Sequence, residues 1–565
     1  MSGRLLLYDD TPIEEAHGRI NEAIKHRESA IERLQTSIFQ YEATITALRT
    51  RVAAFEKSSC FNQACIFALK TQRNEFSYVS RLPAEVLCRI FLFAQRDNDG
   101  EILPYSQWTK FTHVSHRWRG IAINFPRLWT ELHVASYQWI QQAVKRSKNA
   151  GLIINILGRN SDHKDILNLA LLPQVPVRGL RIHNASNADI WHTVHARLPR
   201  CSPSLEFLDL VGIDTTLYAY ASKVSNSTSK EIVRDNLRRL RSLRLVDCHI
   251  NWDSNPFLRH SLTHLTLHNP TTDPSRKEFF LAMKAMPNLQ YLDLEFALPP
   301  TDVVPSSGDH ISLAHLRFLH LYSNSPLEIE AFFYLITIPQ DAMVQVECFM
   351  DQFSGADFSG IVIAIAKSYS QVFGSGAQFQ TFALYQPKYD DNSFGIILEL
   401  STNAIYGEAL IQDDDTNANL QLEVFADEPP PDSLAMKHIL NTIFKGSSLL
   451  QNVRSAYLDM EPYQDGVDSE LLMKTYGRLP ELVSAFIGRY ASKSFMEALK
   501  HSSAVQDPVH FARLSSIYLY QAKISDLTGL ISAPNPFAVP FKLLQDCLVQ
   551  LYDRGTDMYS FRIVE

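Results

Sequence analysis

The sequence predicts an α/β protein in three parts: a long N-terminal helix, a small all-helical hairpin, and an irregular solenoid with parallel strands on its concave face and helices outside. Large residues repeat at heptad spacing near the N-terminus, two short amphipathic segments follow, and a leucine pattern then recurs. The predicted segments are a coiled-coil-like helix at 1–57, a linker or helix extension at 58–80, the hairpin at 81–130, a connecting segment at 131–176, and the solenoid at 177–565 with an irregular acidic section at 340–436.

The N-terminal helix rests on two sets of large residues that repeat at multiples of seven positions. The first set is Ile24, Ile31, Ile38, Ile45 and Val52, and the second is Ile20, Leu34, Tyr41, Leu48 and Phe55. A seam with this spacing winds helices around each other, and β-branched residues in one set favour two parallel strands. We expect a long helix that either forms a homodimer through residues 13–55 or packs against its own chain.

Two amphipathic segments after this helix predict a helical hairpin. The first begins at Leu82-Pro83, where proline suits the first turn of a helix, and the second ends near Pro126-Arg127-Leu128-Trp129. A hairpin of this size cannot bury both of its apolar faces, so it needs a partner or a neighbouring domain.

Both segments resemble the F-box family, and the Pro-Arg-Leu-Trp ending is similar to a variant common in fungal F-box proteins. The polar segment 96–106 is longer than the family pattern. The resemblance implies docking onto the Skp-type adaptor of a cullin-based ubiquitin ligase. It also implies that apolar residues of both segments form the adaptor-binding surface: Leu82, Pro83, Val86, Leu87, Ile90, Phe91, Val114, Trp118, Ile121 and Ala122.

A leucine pattern between residues 205 and 321 predicts the solenoid. Its clearest copy is Leu240-x-x-Leu243-x-Leu245, and the central leucines at 243, 265, 292 and 319 are 22, 27 and 27 residues apart, within the range of leucine-rich repeats. Each Leu-x-Leu predicts a short strand with its leucines pointing inward, because side chains alternate along a strand. Stacked repeats then bury a continuous core.

The pattern weakens between Leu321 and Val453, where we expect irregular repeats or a separate β insertion. Within this stretch, residues 389–436 contain eleven acidic residues and no lysine or arginine. A solvated loop face is one explanation for the acidic run, and the attraction of a basic partner is the other.

Side chains that alternate with the inward leucines predict the surface that binds a target protein. They are rich in aromatic residues and histidine, a composition that suits protein-binding hot spots. The candidates are Phe207, Arg244, His264, His268, Tyr291, Asp293, Phe318, His320, Tyr322, Phe486 and Tyr518.

Composition and motifs narrow the function classes. The net charge of −8 argues against a nucleic-acid partner, seven mostly isolated cysteines suit a reducing compartment, and no apolar run is long enough to cross a membrane. No catalytic, cofactor-binding or metal-binding motif is recognisable, so we expect neither an enzyme nor a bound cofactor or metal. These features indicate a cytoplasmic or nuclear protein.

The function that these features predict is the substrate-recognition subunit of a Skp–cullin–F-box ubiquitin ligase, with the F-box docking the adaptor and the solenoid holding a target protein. The main alternative is a non-catalytic scaffold that dimerises through the N-terminal helix and has no role in ubiquitin transfer. An enzyme with its site in residues 340–440 is a third alternative, which no recognisable catalytic constellation supports.

Overall fold

The computed structural model describes most of the chain between residues 12 and 564. The described residues are 12–98, 100, 102–133, 137–157, 165, 167–168, 171, 175–183, 204–212, 237–248, 250, 252, 257–258, 260–301, 310–339, 341–373, 379–387, 394–403, 418–428, 434–446, 448–460, 467–502, 510–525, 537–553 and 560–564. Contacts divide the chain into two compact units, with the boundary between Phe125 and Pro126.

The first unit is helical. It contains α1 (Ile13–Glu75), α2 (Ala84–Ala94), α3 (Tyr105–Trp108) and α4 (His116–Asn124), with 3₁₀ turns at Tyr78–Arg81 and Thr109–His113. The long helix is confirmed, and its 63 residues continue past the expected end at residue 57 through most of the 58–80 segment. None of the side chains of α1 is buried, although the helix carries a heptad seam of apolar residues that is broken only at His17 and Arg27 between residues 13 and 55.

Sixteen strands of the described residues form one continuous sheet in the second unit. In spatial order they are β1 (Glu131–His133), β2 (Leu152–Leu157), β3 (Val177–His183), β4 (Phe207–Val211), β5 (Ser242–Val246), β6 (His264–His268), β7 (Tyr291–Glu295), β9 (Phe318–Ser323), β11 (Met343–Gln352), β14 (Leu420–Glu428), β13 (Phe394–Ser401), β12 (Thr381–Tyr385), β15 (Ser455–Asp459), β16 (Ser484–Ile487), β17 (Ser516–Tyr520) and β20 (Ser560–Val564). Two short parallel pairs lie apart from it: β8 (Ile311–Ser312) with β10 (Ile336–Thr337), and β18 (Ile524–Ser525) with β19 (Val539–Pro540).

Helices alternate with these strands along the chain. They are α5 (Tyr137–Ser147), α6 (Arg276–Lys284), α7 (Pro326–Leu335), α8 (Gly355–Phe373), α9 (Leu434–Gly446), α10 (Ser469–Lys474), α11 (Ser492–His501) and α12 (Phe541–Asp553). The mixed α/β solenoid that the sequence predicts is thus confirmed.

The sheet begins earlier in the chain than the leucine pattern indicates. β1 pairs in parallel with β2, which pairs in parallel with β3. Residues 131–133 and 152–157, which lie within the expected connecting segment 131–176, therefore belong to the sheet. The pattern missed them because β1 has only three residues and β2 is a continuous apolar run without the Leu-x-Leu spacing.

Strand direction reverses in the middle of the sheet. β13 runs antiparallel to both β14 and β12, whereas β14 pairs in parallel with β11 and β12 pairs in parallel with β15. The parallel pairing expected throughout the solenoid is thus interrupted inside the irregular section at 340–436. Because β12, β13 and β14 remain hydrogen-bonded to their neighbours, this section is part of the same sheet and not a separate one.

Strands β4, β5 and β6 alternate as the sequence predicts. Leucines at their second and fourth positions, such as Leu243 and Leu245, are buried. The side chains at the other positions point to the opposite side of the sheet, because successive side chains of a strand alternate. We call this side the open face and the leucine side the core face.

Helices pack on the core face. α6 begins with a capping box between Ser275 and Glu278 and buries Phe279, whose ring lies 6.5 Å from Phe332 of α7. Farther along the sheet, Phe382 of β12 contacts Phe444 of α9 at 5.6 Å between ring centroids. The helices thereby seal the leucine layer that a single repeat could not bury.

A left-handed residue follows several strands. Gly212, Asp247, Asn269 and Phe296 have φ values of 64°, 51°, 50° and 48°. The backbone N–H of each donates a hydrogen bond to a carbonyl of the next strand, as from Phe296 to Tyr322 at 2.9 Å. This position suits glycine and asparagine, so a phenylalanine there is unusual.

Candidate functional site

A packed aromatic core holds α2 against α4. The ring of Phe91 stacks on Phe111 with 4.5 Å between centroids and lies 5.2 Å from the ring of Trp118. Leu87, Phe91 and Ala122 have no exposed surface. The structure therefore corrects the expectation that these three residues form part of an adaptor-binding surface, because their side chains hold the hairpin together.

Arg117 ties the beginning of the hairpin to α4. Its Nη2 donates a 2.6 Å hydrogen bond to the carbonyl of Leu82, and its Nη1 donates to the carbonyl of Ser80. Ser115 caps α4 by accepting a 3.1 Å hydrogen bond from the backbone N–H of Trp118. These bonds fix the backbone at Leu82 relative to α4.

One side of α2 presents exposed apolar side chains. Val86 and Ile90 are 40% and 39% exposed, and Phe93 is 82% exposed. Spacings of four and three residues place all three on one side of the helix, and we call them the α2 stripe. Sequence reasoning missed Phe93, although its spacing from Ile90 indicates the same side.

The remaining expected adaptor contacts keep part of their surface. Pro83 and Val114 are exposed, and Leu82, Trp118 and Ile121 are half-buried. The hairpin therefore has a buried aromatic core on one side of α2 and exposed apolar surface on the other.

In the second unit, adjacent strands bring most of the expected target contacts together. Phe207, Arg244, His264, His268, Tyr291, Asp293, Phe318, His320 and Tyr322 lie on the open face of β4, β5, β6, β7 and β9, which are neighbours in the sheet. Tyr518 lies on β17, several strands away, and is half-buried.

Aromatic rings stack across the first positions of these strands. The rings of Tyr291 and Phe318 lie 4.7 Å apart and nearly parallel, and His264 lies 5.8 Å from Tyr291. The ring of Phe207 rests on Gly179, where a Cβ atom would approach it to 1.9 Å. Gly179 is therefore needed so that Phe207 can lie flat on the sheet.

Next to the stacked rings, a chain of alternating carboxylate and imidazole groups crosses the strands β6, β7, β9 and β11. Asp293 lies between two histidines, with Oδ2 3.0 Å from His268 Nε2 and Oδ1 2.8 Å from His320 Nδ1. The other ring nitrogens approach Glu295 at 3.2 Å and Glu347 at 3.4 Å. Three carboxylates and two imidazoles thus alternate across four adjacent strands.

These contacts shift the pKa values of the groups involved. Burial raises the pKa of Asp293, but its contacts with His268 and His320 outweigh burial and hold the pKa well below its usual range. Hydrogen bonds to Asp293 and Glu347 raise the pKa of His320 to about 9, against the effect of desolvation. His320 is therefore a cation at neutral pH and stays fixed between two carboxylates.

A second carboxylate on the open face is bound in the same way. Asp209 lies 3.1 Å from His183 Nε2 and 3.2 Å from Arg244 Nη1. Burial raises the pKa of Asp209, but His183 and Arg244 lower it further than burial raises it. Arg244 therefore neutralises a neighbouring acid as well as lying on the expected target surface.

Four half-buried aromatic rings continue the open face beyond the leucine pattern. The ring of Tyr322 lies 4.6 Å from Phe296 and 6.1 Å from Phe425, which lies 5.5 Å from Phe349. Sequence reasoning missed Glu347, Phe349 and Phe425 because β11 and β14 lack the leucine consensus. It missed Phe296 because this residue follows β7 in a left-handed conformation, outside the alternation of the strand. The alternating apolar residues of Val344-x-Val346-x-Cys348 were a signal for β11.

The structure corrects the expectation that Phe486 contacts a target. Its side chain is only 1% exposed and packs with Ala383 and Tyr457, and its ring stacks on Tyr518 at 4.4 Å. Phe486 is part of a closed cluster and offers no surface to a partner.

Comparison with known proteins bears on the hairpin first. Residues 79–135 match the F-box-like family model. The F-box-like domain thus includes the hairpin expected at 81–130, and domains of this family generally bind Skp-type adaptors. No curated protein matches the chain.

Among solved structures, the chain is similar to the one titled "Crystal structure of TLR13-ssRNA13 complex", with 13% identity and a TM-score of 0.27. The match covers 68% of this chain and 40% of that chain. A likeness this low gives no guide to ligand or mechanism, so the chemistry of the second unit rests on its own residues.

The F-box-like domain and the open face are both suited to contact with macromolecules. The domain offers apolar surface, and the open face offers flat rings beside fixed charges. Across the part of the chain that the structure describes, no three His, Cys, Asp or Glu side chains are placed to hold a metal ion. None of the described helices is long and apolar enough to span a bilayer.

Proposed function

We propose that this chain is the target-recognition subunit of a Skp–cullin–F-box ubiquitin ligase. The F-box-like domain docks the Skp-type adaptor, the open face binds a target protein, and catalysis belongs to other subunits. Acting by proximity, the chain raises the effective concentration of a target lysine near the ubiquitin carrier. The protein would act in the cytoplasm or the nucleus.

The observation that carries this proposal is the α2 stripe. A helix that already buries Leu87 and Phe91 has no structural need for three further exposed apolar side chains at Val86, Ile90 and Phe93. Their burial against an adaptor would remove apolar surface from water, and Pro83, Leu82 and Trp118 would extend the contact. The remaining expected contacts, Val114 and Ile121, lie on the same domain.

The test is adaptor binding by purified chain, wild type beside Ile90→Glu. A charge at the centre of the stripe should weaken adaptor binding at least about a hundredfold, because an unpaired carboxylate would be buried in the interface. The matched control is Leu281→Glu, which places the same charge at a 56% exposed leucine of α6. Absence of binding by the wild type, or equal binding by both variants, would contradict the proposal.

A second candidate function is a scaffold that dimerises through α1. The heptad positions of this helix are exposed along its length, with Ile38 55% and Leu48 52% exposed. After polar Ser59 and Asn62, the apolar residues Ile66 and Leu69 fall on the same two heptad positions and are exposed. A parallel second copy of α1 would bury this surface along both helices.

Its test is the molar mass in solution of the full chain, wild type beside Ile38→Lys/Ile45→Lys. The wild type should have the mass of a dimer, and the variant that of a monomer, because charges replace apolar side chains at the centre of the seam. Thr36→Lys/Ala43→Lys places the same charges outside the seam and should leave the dimer intact. A monomeric wild type would reject this candidate function. The test of adaptor binding is independent of that result.

A further inference from the structure

The open face carries an acidic–aromatic patch that crosses the neighbouring strands β7, β9, β11 and β14. We define the patch as Glu295, Phe296, Tyr322, Glu347, Phe349 and Phe425. Tyr322 is in register with Glu295 on one side and with Glu347 on the other. Neighbouring strands are about 4.8 Å apart, so the ring of Tyr322 lies between two carboxylate side chains. Rings from three further residues extend this surface.

The charge of the patch is negative, although histidines contact it. Three carboxylates, those of Asp293, Glu295 and Glu347, face only two imidazoles in the chain described above, so an excess of negative charge remains even with both histidines protonated. Glu347 and Glu295 also keep 42% and 36% of their side-chain surface exposed. The ring of Tyr322 lies in this negative field. Burial raises the pKa of its hydroxyl group most, and the charges of Glu347 and Glu295 raise this pKa further.

Two further features single out this part of the open face. Phe296 holds a left-handed backbone conformation at a position where Gly212 and Asn269 stand after other strands, and its ring packs on Tyr322. A bulky residue in this conformation costs about 1 kcal/mol or more. The contact between the rings of Phe296 and Tyr322 offsets part of this cost. Strands β13 and β14 belong to the segment 389–436, which has eleven acidic residues and no lysine or arginine. Seven of these acids, at 390, 391, 408, 413–415 and 432, lie outside the described residues.

We infer that the acidic–aromatic patch binds a basic segment of the target protein, with arginine or lysine side chains lying against its rings and paired with its carboxylates. This inference rests on the proposed function and names the chemistry of the target. Guanidinium and ammonium groups are the partners that satisfy both features, because aromatic faces attract cations and carboxylates accept their hydrogen bonds. A phosphate-bearing partner would be repelled by the same field.

The arrangement is ready to bind without rearrangement. His268 and His320 hold the carboxylates of Glu295 and Glu347 from one side, which leaves the exposed side of each for a partner. Little side-chain entropy is then lost on binding.

The test measures binding of short fluorescent peptides to the full chain. Three peptides differ only in having arginine, glutamine or glutamate at alternate positions. The arginine peptide should bind at least about tenfold more tightly than the glutamine peptide, and the glutamate peptide should bind most weakly. Added salt should weaken binding of the arginine peptide, because part of the attraction is electrostatic.

Variants assign the binding to the patch. Tyr322→Ala and Glu347→Gln should each weaken binding of the arginine peptide about tenfold, and Glu347→Gln keeps the hydrogen-bonding shape beside His320. The matched controls are Tyr552→Ala and Glu206→Gln, which change an exposed tyrosine on α12 and an exposed glutamate next to β4 and should leave binding unchanged. An unfolding midpoint for each variant shows that the fold is intact, and Glu347→Gln alone decides the test if Tyr322→Ala does not fold.

No preference for arginine over glutamine, or equal weakening by the patch and control variants, would overturn the inference. Adaptor binding measured on the same preparations separates this result from the proposed function. Intact adaptor binding without a preference for basic peptides rejects only the patch. A preference for basic peptides without adaptor binding supports the patch and rejects the ligase.

Discussion

The two halves of the sheet have the same kind of core face and different open faces. From β3 to β11 the open-face side chains are mostly half-exposed, as the alternating burial of β4, β5 and β6 shows. From β13 through β12 and β15 to β16, the side chains on the same side of the sheet are mostly buried, and every residue of β13 and β16 is buried. One half of the sheet can therefore meet a partner along its face, and the other cannot.

The difference follows from the side chains that occupy the open-face positions in each half. Positions in register across neighbouring strands form a row. In the first half, long charged residues such as Arg244 and His320 pair with neighbouring acids and stay at the surface. In the second half, the small side chains of Thr381, Ser455 and Ser484 occupy the first row. Beside them the aromatic residues of the next row pack on one another. Alternation along a strand determines which side chains point away from the core face. The size and charge of those side chains determine whether they stay exposed to solvent.

The largest expected effect is the loss of stability when one phenylalanine in each half is truncated to alanine. Phe486→Ala removes a buried ring from its cluster and should lower the free energy of unfolding by about 3–5 kcal/mol. Phe318→Ala removes a half-exposed ring stacked on Tyr291 and should cost about 1 kcal/mol. The measurement is the urea midpoint of each variant. Equal losses would remove the distinction between the two halves.

A pH-dependent effect between about pH 6.5 and pH 9 is expected in the open half. The folded-state pKa of His320 is raised to about 9, above the usual 6.5, so its stabilisation is complete below about pH 6.5 and is lost as the pH rises through 9. The loss should be about 2 kcal/mol between these pH values, less than the full shift implies, because solvent screens the partly exposed Glu347 and His320 side chains. Asp293→Asn removes the main partner and should remove most of this pH dependence.

The measurement is the urea midpoint at pH 6 and pH 9 for the wild type and for Asp293→Asn. The variant should be less stable than the wild type at pH 6 and closer to it at pH 9, where about half of the wild-type His320 has lost its charge. Asp341→Asn, a change at an exposed aspartate before β11, is the control and should follow the wild type. A variant that retains the full wild-type slope would show that His320 is not held by Asp293.

The strands of the first half could be predicted because their signal is local. Leu243, Leu265, Leu292 and Leu319 each lie in a strand and are buried, as alternation requires. The two amphipathic segments likewise predict α2 and α4. The apolar residues of α2 cover so much of the helix surface that the sequence does not distinguish Val86 and Ile90, which are exposed, from Leu87 and Phe91, which are buried.

The reversal at β13 and the burial of Phe486 could not be predicted in the same way. Strand direction depends on which distant segment supplies the next pairing, and the sequence of β13 alone does not contain that choice. Phe486 occupies an outward position by alternation, yet its burial depends on Tyr457 and Tyr518 from neighbouring strands. The acidic–aromatic patch has the same origin, because Tyr322, Glu347 and Phe425 meet only after β9, β11 and β14 pair.

A loss smaller than that of Phe486→Ala is expected where the closed half begins, at β13. Glu399 of β13 is buried and accepts hydrogen bonds from the hydroxyl of Tyr385 at 3.0 Å and from Nε2 of Gln421 at 3.3 Å. Tyr385→Phe removes one donor from a buried carboxylate and should lower the free energy of unfolding by about 1.5 kcal/mol. The control is Tyr457→Phe, whose hydroxyl lies 3.4 Å from Asp459 and should matter less. A loss below about 0.5 kcal/mol for Tyr385→Phe would mean that water replaces the lost donor, and that the open face extends one strand pair further than the burial of β13 indicates.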